Sequence, residues 1–284
     1  MATHNQARLV GFVKGNITIV GQENEEKAFF TIRTVHRDVD LYHEEKFEDI
    51  MIFYDGASEQ MMNKIRKLEQ FDIVDIKGVF NILTMNKTST CPNCGHKNIK
   101  YFASTTFVYP IHLQKLNALY QAYEHDEKLP EELLIKHYKE ISNQVIICGT
   151  VVKKPELKQL KNTVCCRYPL GVNRKYYIKT QGEITADYPY IYTFGQQAED
   201  DERHLLQGST VLVDAFIRTR MVQSNMKCET CGADYQFPDT ATEFIPYSIE
   251  YLKDYLTDED IAVRESEEMT ASYNDAQKQI FGNC

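Results

Sequence analysis

Apolar and β-branched residues alternate with polar ones in short runs along this chain, and the runs recur in two copies. The run at 210–218 is typical of a strand, and the polar loop after it ends in a Cys-x-x-Cys-Gly turn at Cys228. A similar run at 73–80 leads into the same turn at Cys91, 137 residues earlier. A further apolar run follows each turn. We therefore interpret the chain as two copies of one unit.

Both copies predict the same order of elements. In the first copy, strands at 8–13, 28–35 and 47–54 precede a helix at 59–68, whose apolar residues recur at helical intervals. The second copy predicts strands at 144–152, 163–172, 188–194, 210–218 and 242–250, with a short helix near 198–206 before the fourth. Five strands with a helix between the third and the fourth are the elements of an OB-type barrel.

The predicted fold is all-β with small helical parts: two tandem OB-fold barrels joined by a helical connector, each carrying a Cys-x-x-Cys hairpin. The connector is predicted because Leu116, Leu119 and Tyr123 recur near a period of 3.6 residues, and Leu129-Pro130-Glu131-Glu132 restarts a helix. The expected domains are a first OB fold at 1–112, the connector at 113–142, a second OB fold at 143–254 and an acidic, flexible tail at 255–284.

Composition and charge narrow the class of protein. The apolar fraction of 43% and charged fraction of 26% are those of ordinary globular chains. No apolar run approaches a membrane span, and the N-terminus has no signal-peptide core, so we expect a cytoplasmic protein without membrane contact. Residues 254–284 carry a net charge of −6 out of the chain's −9. The remainder is close to neutral, which leaves room for a basic groove.

Four of the eight cysteines form the two Cys-x-x-Cys-Gly turns, and this spacing favours a metal over disulfides in a cytosolic chain. One such turn supplies two thiolates, whereas a structural zinc takes four ligands. Our hypothesis is one structural Zn²⁺ site shared by Cys91, Cys94, Cys228 and Cys231. The alternatives are a separate metal on each hairpin, completed by His96 or a second subunit, and cysteines that are only small turn residues. Redox use of the pairs is less favoured, because they lie between strands.

From Asn143 onward the sequence resembles the bacterial single-stranded DNA-binding protein family, an OB-fold family. Four collinear stretches within 143–222 carry the resemblance: the strand at 143–157, Arg167-Tyr168-Pro169-Leu170, the aromatic run at 188–199, and the Leu-x-x-Gly-Ser and Arg-Thr-Arg segments at 205–220. The first copy fits more loosely. The chain has no tryptophan, on which that family commonly stacks bases, and it does not end in the family's acidic run closed by Pro-Phe.

The resemblance implies a single-strand binding surface of aromatic and basic side chains. It puts Tyr188 and Phe194 on base-stacking positions, and Tyr176 or Tyr177 in the region of another. Strand alternation puts Tyr188 and Phe194 on one face, which parity alone cannot assign to groove or core. The other candidates in the second copy are Tyr168, Arg174, Lys175, Arg218 and Arg220. The candidates in the first copy are Phe30, Phe47 and Phe53, with a core position as the alternative for the last two.

The predicted function is a non-catalytic protein that coats and protects single-stranded DNA during replication, recombination or repair. The sequence offers no phosphate-binding glycine loop, metalloprotease motif or nucleophile elbow. The resemblance implies four OB folds in one assembly, and hence a homodimer, unless the two barrels of one chain pair instead. Replication or recombination proteins are expected partners of the acidic tail. The alternatives are an RNA-binding or replication-accessory OB protein and a protein-interaction scaffold.

Overall fold

The computed structural model describes residues 3–22, 25–37, 47–116, 127–174 and 184–281. The strands in these ranges are β1 His4–Val20, β2 Lys27–Val35, β3 Phe47–Tyr54, β4 Ile73–Thr90, β5 Lys97–Lys115, β6 Asn143–Val151, β7 Glu156–Gln159, β8 Val164–Asn173, β9 Ala186–Asp187, β10 Tyr190–Phe194, β11 Thr210–Lys227 and β12 Asp234–Lys253. The helices are α1 Glu59–Arg66, α2 Lys128–Leu133, α3 Gln196–His204 and α4 Asp258–Phe281.

The first five strands close on themselves. β1 pairs with β2 and β4, β2 with β3, and β4 with β5, all antiparallel, and a short parallel contact between β3 and β5 completes the circuit. Helix α1 lies between β3 and β4 in the chain and buries Met62 and Ile65. The prediction of a mostly β chain with a closed, OB-like barrel of five strands is confirmed.

A second circuit of pairings follows the same order. β6 pairs with β8 and β11, β8 with β10, and β11 with β12, and β10 contacts β12 in parallel. Helix α3 lies between β10 and β11 in the chain and buries Ala198 and Asp201. The short strands β7 and β9, which the sequence did not predict, pair with the two ends of β8.

The two circuits meet at an antiparallel pairing between β1 and β6. Residues from His4 to Leu9 pair with Cys148 to Asn143, which joins both circuits in one twelve-stranded sheet. Asn5 exchanges two hydrogen bonds with the backbone of Phe80 in β4. Asn143 does the same with the backbone of Ile217 in β11. Corresponding side chains therefore anchor the joint on both sides.

The polar loops expected before the Cys turns are instead β-ribbons. β4 and β5 stay paired from Gly78 out to Thr90, and β11 and β12 stay paired out to Lys227. These outer segments are polar because much of their surface faces water beyond the barrel core. Their backbone hydrogen bonds come from the partner strand, which a polarity pattern does not reveal.

The connector and the tail also differ from expectation. Strand β5 runs to Lys115, so the connector begins later than residue 113, and the expected helical turns at 117–126 lie outside the described residues. Helix α2 continues into a π-helical turn at Leu134–Tyr138, whose Leu134 is fully buried. The tail contains helix α4, an element beyond those predicted, which begins at a reciprocal capping contact between Thr257 and Asp260. None of the helices in the described ranges has the length and apolar character to cross a membrane.

A buried carboxylate organises the core of the second circuit. Asp201 has no exposed surface and accepts hydrogen bonds from Tyr168, Thr193, Gln197 and Tyr251 at 2.7–3.1 Å. Burial raises the pKa of Asp201 even though all four hydrogen bonds act to lower it. The carboxylate therefore joins α3 to β8, β10 and β12.

We expect Asp201→Ala to lower the free energy of unfolding by about 2–4 kcal/mol, because it leaves several buried donors without an acceptor. Urea unfolding followed by circular dichroism measures this. Glu199→Ala, an exposed position on the same helix, is the matched control and should change stability by less than about 0.5 kcal/mol. Equal stability losses in the two variants would contradict the structural role of Asp201.

Candidate nucleic-acid interface and metal centre

An apolar groove lies along the first circuit. We call it the first groove; its lining side chains include Lys14, Phe29, Met51, Phe53, Leu83 and Phe107, and its volume is about 870 Å³. The rings of Phe29 and Phe53 stack with centroids 4.8 Å apart, and Phe107 meets Phe53 edge-on at 5.0 Å. Met51 is 41% exposed at the surface of this groove. The floor is therefore aromatic and aliphatic.

A more polar groove lies along the second circuit. We call it the second groove; its lining includes Lys158, Arg167, Tyr192, Phe194, Arg220 and Glu243, and its volume is about 490 Å³. Along β10 the side chains of Ile191 and Thr193 are buried, while Tyr190, Tyr192 and Phe194 are at least partly exposed. The predicted alternation of this strand is confirmed, and its aromatic face is the groove and not the core.

A cleft between the circuits connects the two grooves. This junction is lined by residues that include Arg33, Phe47, Asp49, Phe216, Arg218 and Arg220, and its volume is about 560 Å³. It shares Asp49, Thr219 and Thr240 with the first groove. It shares Arg218 and Arg220 with the second groove. The three spaces are therefore neighbours that share wall residues, and together we call them the channel.

The channel differs in charge from the rest of the chain. Its lining includes seven basic side chains, which are Lys14, Arg33, Lys87, Lys158, Arg167, Arg218 and Arg220. It includes three acidic ones, which are Glu48, Asp49 and Glu243. The lining therefore carries a net charge of +4, whereas the whole chain carries −9. Seven basic side chains face seven acidic ones once the ion-pair partners just outside the lining are counted, which are Glu127, Glu131, Glu156 and Asp239.

Acidic neighbours hold the basic side chains in place. Arg33 contacts Asp49 at 2.8 Å and Glu131 of α2 at 2.9 Å. Burial acts to raise the pKa of Asp49, but hydrogen bonds from Arg33 and Lys14 outweigh it, so the pKa is lowered and the carboxylate stays charged. The pair is partly buried, since the side chain of Arg33 is 20% exposed and that of Asp49 is 38% exposed.

The second groove has its own example of such a pair. Arg220 donates from Nε to buried Glu243 at 2.6 Å, while its own side chain is 51% exposed. A guanidinium has four further N–H donors. Glu243 therefore orients the arginine without using up its capacity to bind an anion.

Several predicted binding residues occupy other positions. Tyr168 has no exposed surface and bonds to Asp201, so it cannot stack on a base. Phe30 is 3% exposed in the core of the first circuit, and it is likewise excluded as a stacking residue. Phe53 is 4% exposed and backs the first groove from beneath Phe29. The predictions for Tyr168 and Phe30 were wrong because inward and outward positions alternate along a strand, and the sequence does not mark which set is which. Phe53, for which a core position was the alternative, is buried and yet lines the first groove.

Arg174 is a structural residue instead of a phosphate ligand. Its side chain is 6% exposed and forms a two-pronged ion pair with Asp187, which is 1% exposed, at 2.6 and 2.7 Å. Arg174 and Asp187 also bond to the carbonyl and the amide of Ile82 in β4. The pair therefore links the second circuit to the ribbon of the first.

The other predicted side chains are accessible. Tyr188 is 54% exposed just before β10, and Phe194 lies in the second groove. Phe47 lines the junction. Arg218 and Arg220 lie where the junction meets the second groove. Lys175, Tyr176 and Tyr177 lie outside the described residues.

Sequence reasoning missed Phe29, Met51 and Lys14 of the first groove and Tyr192 of the second. These residues alternate with buried residues along the same strands, and that alternation is the pattern from which they could have been identified. Phe29 alternates with the buried Ala28 and Phe30, and Met51 with the buried Ile50 and Ile52. Parity becomes informative once one buried residue on each strand is known.

The four cysteines of the two turns meet at the tips of the ribbons. Their sulfur atoms all lie within 4.8 Å of one another, with Cys91 to Cys231 at 3.7 Å and Cys94 to Cys228 at 3.6 Å. In each turn a glycine at positive φ donates its N–H to the carbonyl of the first cysteine. The predicted clustering of the four cysteines is confirmed, and His96 is not part of the group.

The spacing of the sulfurs fits a four-thiolate metal site. Sulfurs arranged tetrahedrally around an ion at about 2.3 Å have edges of about 3.8 Å. The two short sulfur–sulfur distances are close to that edge. Each ribbon contributes two of the four ligands, so a single ion would connect the two circuits.

Polar contacts brace the ribbons below their tips. Asp239 of β12 accepts from Lys87 and Lys100 of the other ribbon, each at 2.7 Å. Burial acts to raise the pKa of Asp239, but these two lysines outweigh it and lower the pKa. Asn98 bonds to the hydroxyl of Tyr235 and to the amide of Glu229. The ribbons are therefore held together even apart from the cysteines.

The fold and the channel define a β protein with an OB-like barrel and a groove suited to a polyanion. The model of the family described as "Single-strand binding protein family" matches residues 142–231. "Single-stranded DNA-binding protein 1" of Clostridium acetobutylicum is 30% identical over 110 residues, which are 36% of this chain and 99% of that protein. The chain therefore belongs to the single-strand binding protein family.

Two further comparisons add to this. "Single-stranded DNA-binding protein 2" of the same organism is 35% identical over 80 residues, and this match spans 28% of the chain and 59% of that relative. The crystal structure of the wild-type single-stranded DNA binding protein from Thermus aquaticus superimposes with a TM-score of 0.56 at 14% identity. That likeness covers 90% of this chain and 97% of the other, and it concerns the fold alone.

We expect Arg174→Ala to lower the free energy of unfolding by about 3–5 kcal/mol, because it leaves the Asp187 carboxylate buried without its partner. Arg203→Ala is the matched control, since Arg203 and its partner Glu265 are both more than half exposed, and it should cost at most about 1 kcal/mol. Denaturant unfolding compares the two. An Arg174→Ala protein as stable as the control would return Arg174 to the list of candidate ligands.

Proposed function

We propose that this chain is a non-catalytic protein that binds and protects single-stranded DNA along the channel. The observation that carries the proposal is a row of adjacent grooves whose lining combines aromatic side chains with seven basic ones. Membership of the single-strand binding protein family supports it. Binding of this kind combines phosphate contacts, which depend on salt, with base stacking, which tolerates many sequences.

The predicted binding side chains have separate roles in this proposal, and Tyr188 lies outside the lining of the three cavities. Arg218 and Arg220 contact the sugar–phosphate backbone where the strand passes through the junction. Tyr188 and Phe194 stack on bases, and Phe47 lines the passage between the circuits. Lys175, Tyr176 and Tyr177 remain predictions from the family resemblance.

The chain is proposed to be a tandem duplicate of one OB fold, with domains at 1–112 and 143–254. Two observations support this: the same order of pairings in both circuits, and the equivalent backbone contacts of Asn5 and Asn143. Ala7 pairs with Val145 near the middle of the joint. Ala7 lies two residues after Asn5 and Val145 lies two residues after Asn143, so the two paired residues occupy equivalent positions. A pseudo-twofold axis through this pair would relate the two units.

A structural Zn²⁺ is proposed at Cys91, Cys94, Cys228 and Cys231. Four thiolates are a common ligand set for structural zinc, and the sulfur spacing supports that geometry. The ion would fix the tips of the two ribbons relative to each other. The rival arrangement has one ion on each hairpin. It would require the two cysteine pairs to bind separate ions, although their four sulfurs lie within 4.8 Å of one another.

The proposed assembly and setting rest on the resemblance to the family. Two OB folds in one chain make a homodimer the expected assembly, with single-stranded DNA as ligand and the cytoplasm as location. Replication, recombination or repair are the processes in which exposed strands arise. The acidic segment that includes α4 is the proposed docking site for proteins of those processes.

We expect the protein to bind labelled oligo-dT tightly at low salt, with a logarithmic affinity that falls linearly with the logarithm of salt concentration. Fluorescence anisotropy measures the binding, with duplex DNA and matched RNA as competitors. Tyr188→Ala should weaken binding roughly 5- to 150-fold, since one stacked base contributes about 1–3 kcal/mol. Tyr273→Ala, on exposed α4, is the control and should leave the affinity unchanged. Failure of the folded wild type to bind at low salt would refute the function, and a preference for RNA would favour the RNA-binding alternative.

Metal analysis of the purified protein should find one zinc per chain. Cys91→Ser and Cys228→Ser should each abolish stoichiometric zinc, because a shared site loses a ligand in either case. Cys148→Ser, whose thiol lies outside the cluster, should retain it. Two zinc ions per chain would contradict the shared site, and a zinc-free folded protein would contradict both metal arrangements.

A further inference from the structure

We infer that four equivalent positions in the two grooves divide the recognition of one strand: those of the first groove take bases, and those of the second groove take the phosphate backbone beside the base-stacking Phe194. This inference rests on the proposed binding of single-stranded DNA and adds a distinction within it. The grooves occupy equivalent faces of the two circuits, so a comparison position by position shows how they differ.

The strand registers define the equivalent positions. Ile52 contacts Val108 in the first circuit as Ile191 contacts Phe244 in the second, both in parallel pairs between the third and last barrel strands. Phe53 and Tyr192 are the next residues on their strands, so they are equivalent. Phe29 pairs with Phe53 as Arg167 pairs with Tyr192.

Two more positions follow from the same registers. Phe107 precedes Val108 as Glu243 precedes Phe244. Phe80 pairs with Val108 as Ile217 pairs with Phe244, so Leu83 and Arg220 are equivalent, three residues further along. The resulting quartets are Phe29, Phe53, Phe107 and Leu83 in the first groove, and Arg167, Tyr192, Glu243 and Arg220 in the second.

The first quartet contains no charged group. Phe29 is partly exposed over Phe53, and exposed Met51 extends the same surface. Such a surface favours the faces of nucleobases, which stack on aromatic rings whatever their sequence. It offers less to a phosphate than the second groove, because its lysines are paired with acids that are less exposed than Glu156, the partner of Arg167: Lys14 with Asp49 at 38% and Lys87 with Asp239 at 8%, against 55%.

The second quartet has three charged members. Arg167 is 38% exposed and pairs with Glu156, itself 55% exposed, so the pair contributes little stability and can yield to a phosphate. Arg220 is held by buried Glu243 and remains half exposed. Lys158 lies in the same groove. Planar guanidinium groups match phosphate oxygens in pairs, which favours backbone contacts here.

One strand reaches both grooves through the junction. Thr219 and Thr240 line the junction and the first groove, and Arg218 and Arg220 line the junction and the second. The amide of Thr219 donates to Glu48 of β3 at 2.8 Å, which fixes this part of β11 against the first circuit. The strand would therefore meet an apolar base site and a basic backbone site in succession.

The test compares two ligands of equal length and charge, oligo-dT and an abasic deoxyribose-phosphate strand, across a salt series. The first variant combines Phe29→Leu with Met51→Ser. It should weaken oligo-dT binding roughly 5- to 150-fold while leaving the salt slope and the abasic strand's affinity unchanged. The second variant is Arg167→Gln. It should weaken both ligands alike and reduce the magnitude of the salt slope by about 0.7, the value for one phosphate contact on a single strand.

The outcomes separate the inference from the proposed function. No binding of oligo-dT by the wild type would refute the function itself. Tight wild-type binding, with both variants changing the salt slope and the abasic affinity in the same way, would overturn the division of roles alone. Circular dichroism checks the fold of each variant, and Met51→Ser by itself, at an exposed position, keeps the test decisive if the double variant does not fold.

Discussion

The antiparallel pairing of β1 with β6 is the contact on which the rest of the molecule depends. Strands that close into a circuit leave no free edge where they are paired on both sides. In β1, however, β2 pairs only from Phe12 onward, so the segment His4–Leu9 has an edge to which β6 pairs. The backbone ladder orients the two circuits, and the paired contacts of Asn5 and Asn143 fix its register. With this orientation the two ribbons converge, the four cysteines meet, and the grooves align through the junction.

Buried and half-buried acids give the channel its form. Glu48 joins β3 to β11, Glu243 orients Arg220, and Asp49 orients Arg33. Each acid lowers the positive charge of the lining, yet Glu243 and Asp49 also place a basic group on a defined surface. The outcome is a set of ordered basic side chains with paired acids, which suits the proposed reversible binding of a single strand.

Much of this architecture could be predicted from the sequence, and the limits have physical causes. The repeat of the Cys-x-x-Cys-Gly turns indicated the meeting of the four cysteines, but it did not indicate the β-ribbons that carry them. It was harder to predict which face of each strand is buried, because alternation divides the residues into two sets without showing which set faces the core. Tyr168 and Tyr192 belong to neighbouring strands and look alike in sequence, yet one bonds to a buried carboxylate and the other lines a groove. Arg174 has an ordinary surface composition around it, and only the tertiary contact with Asp187 and Ile82 shows its role.

The central claim is that one strand passes through both circuits by way of the junction. Photocrosslinking with a single oligonucleotide that carries 4-thiothymidine at alternate positions, followed by mass spectrometry of the crosslinked peptides, tests it most directly. The account predicts that individual protein–oligonucleotide complexes contain crosslinks both to the strand that holds Met51 and to the strand that holds Tyr192. Crosslinks confined to one circuit, with oligonucleotides long enough to span both, would contradict it.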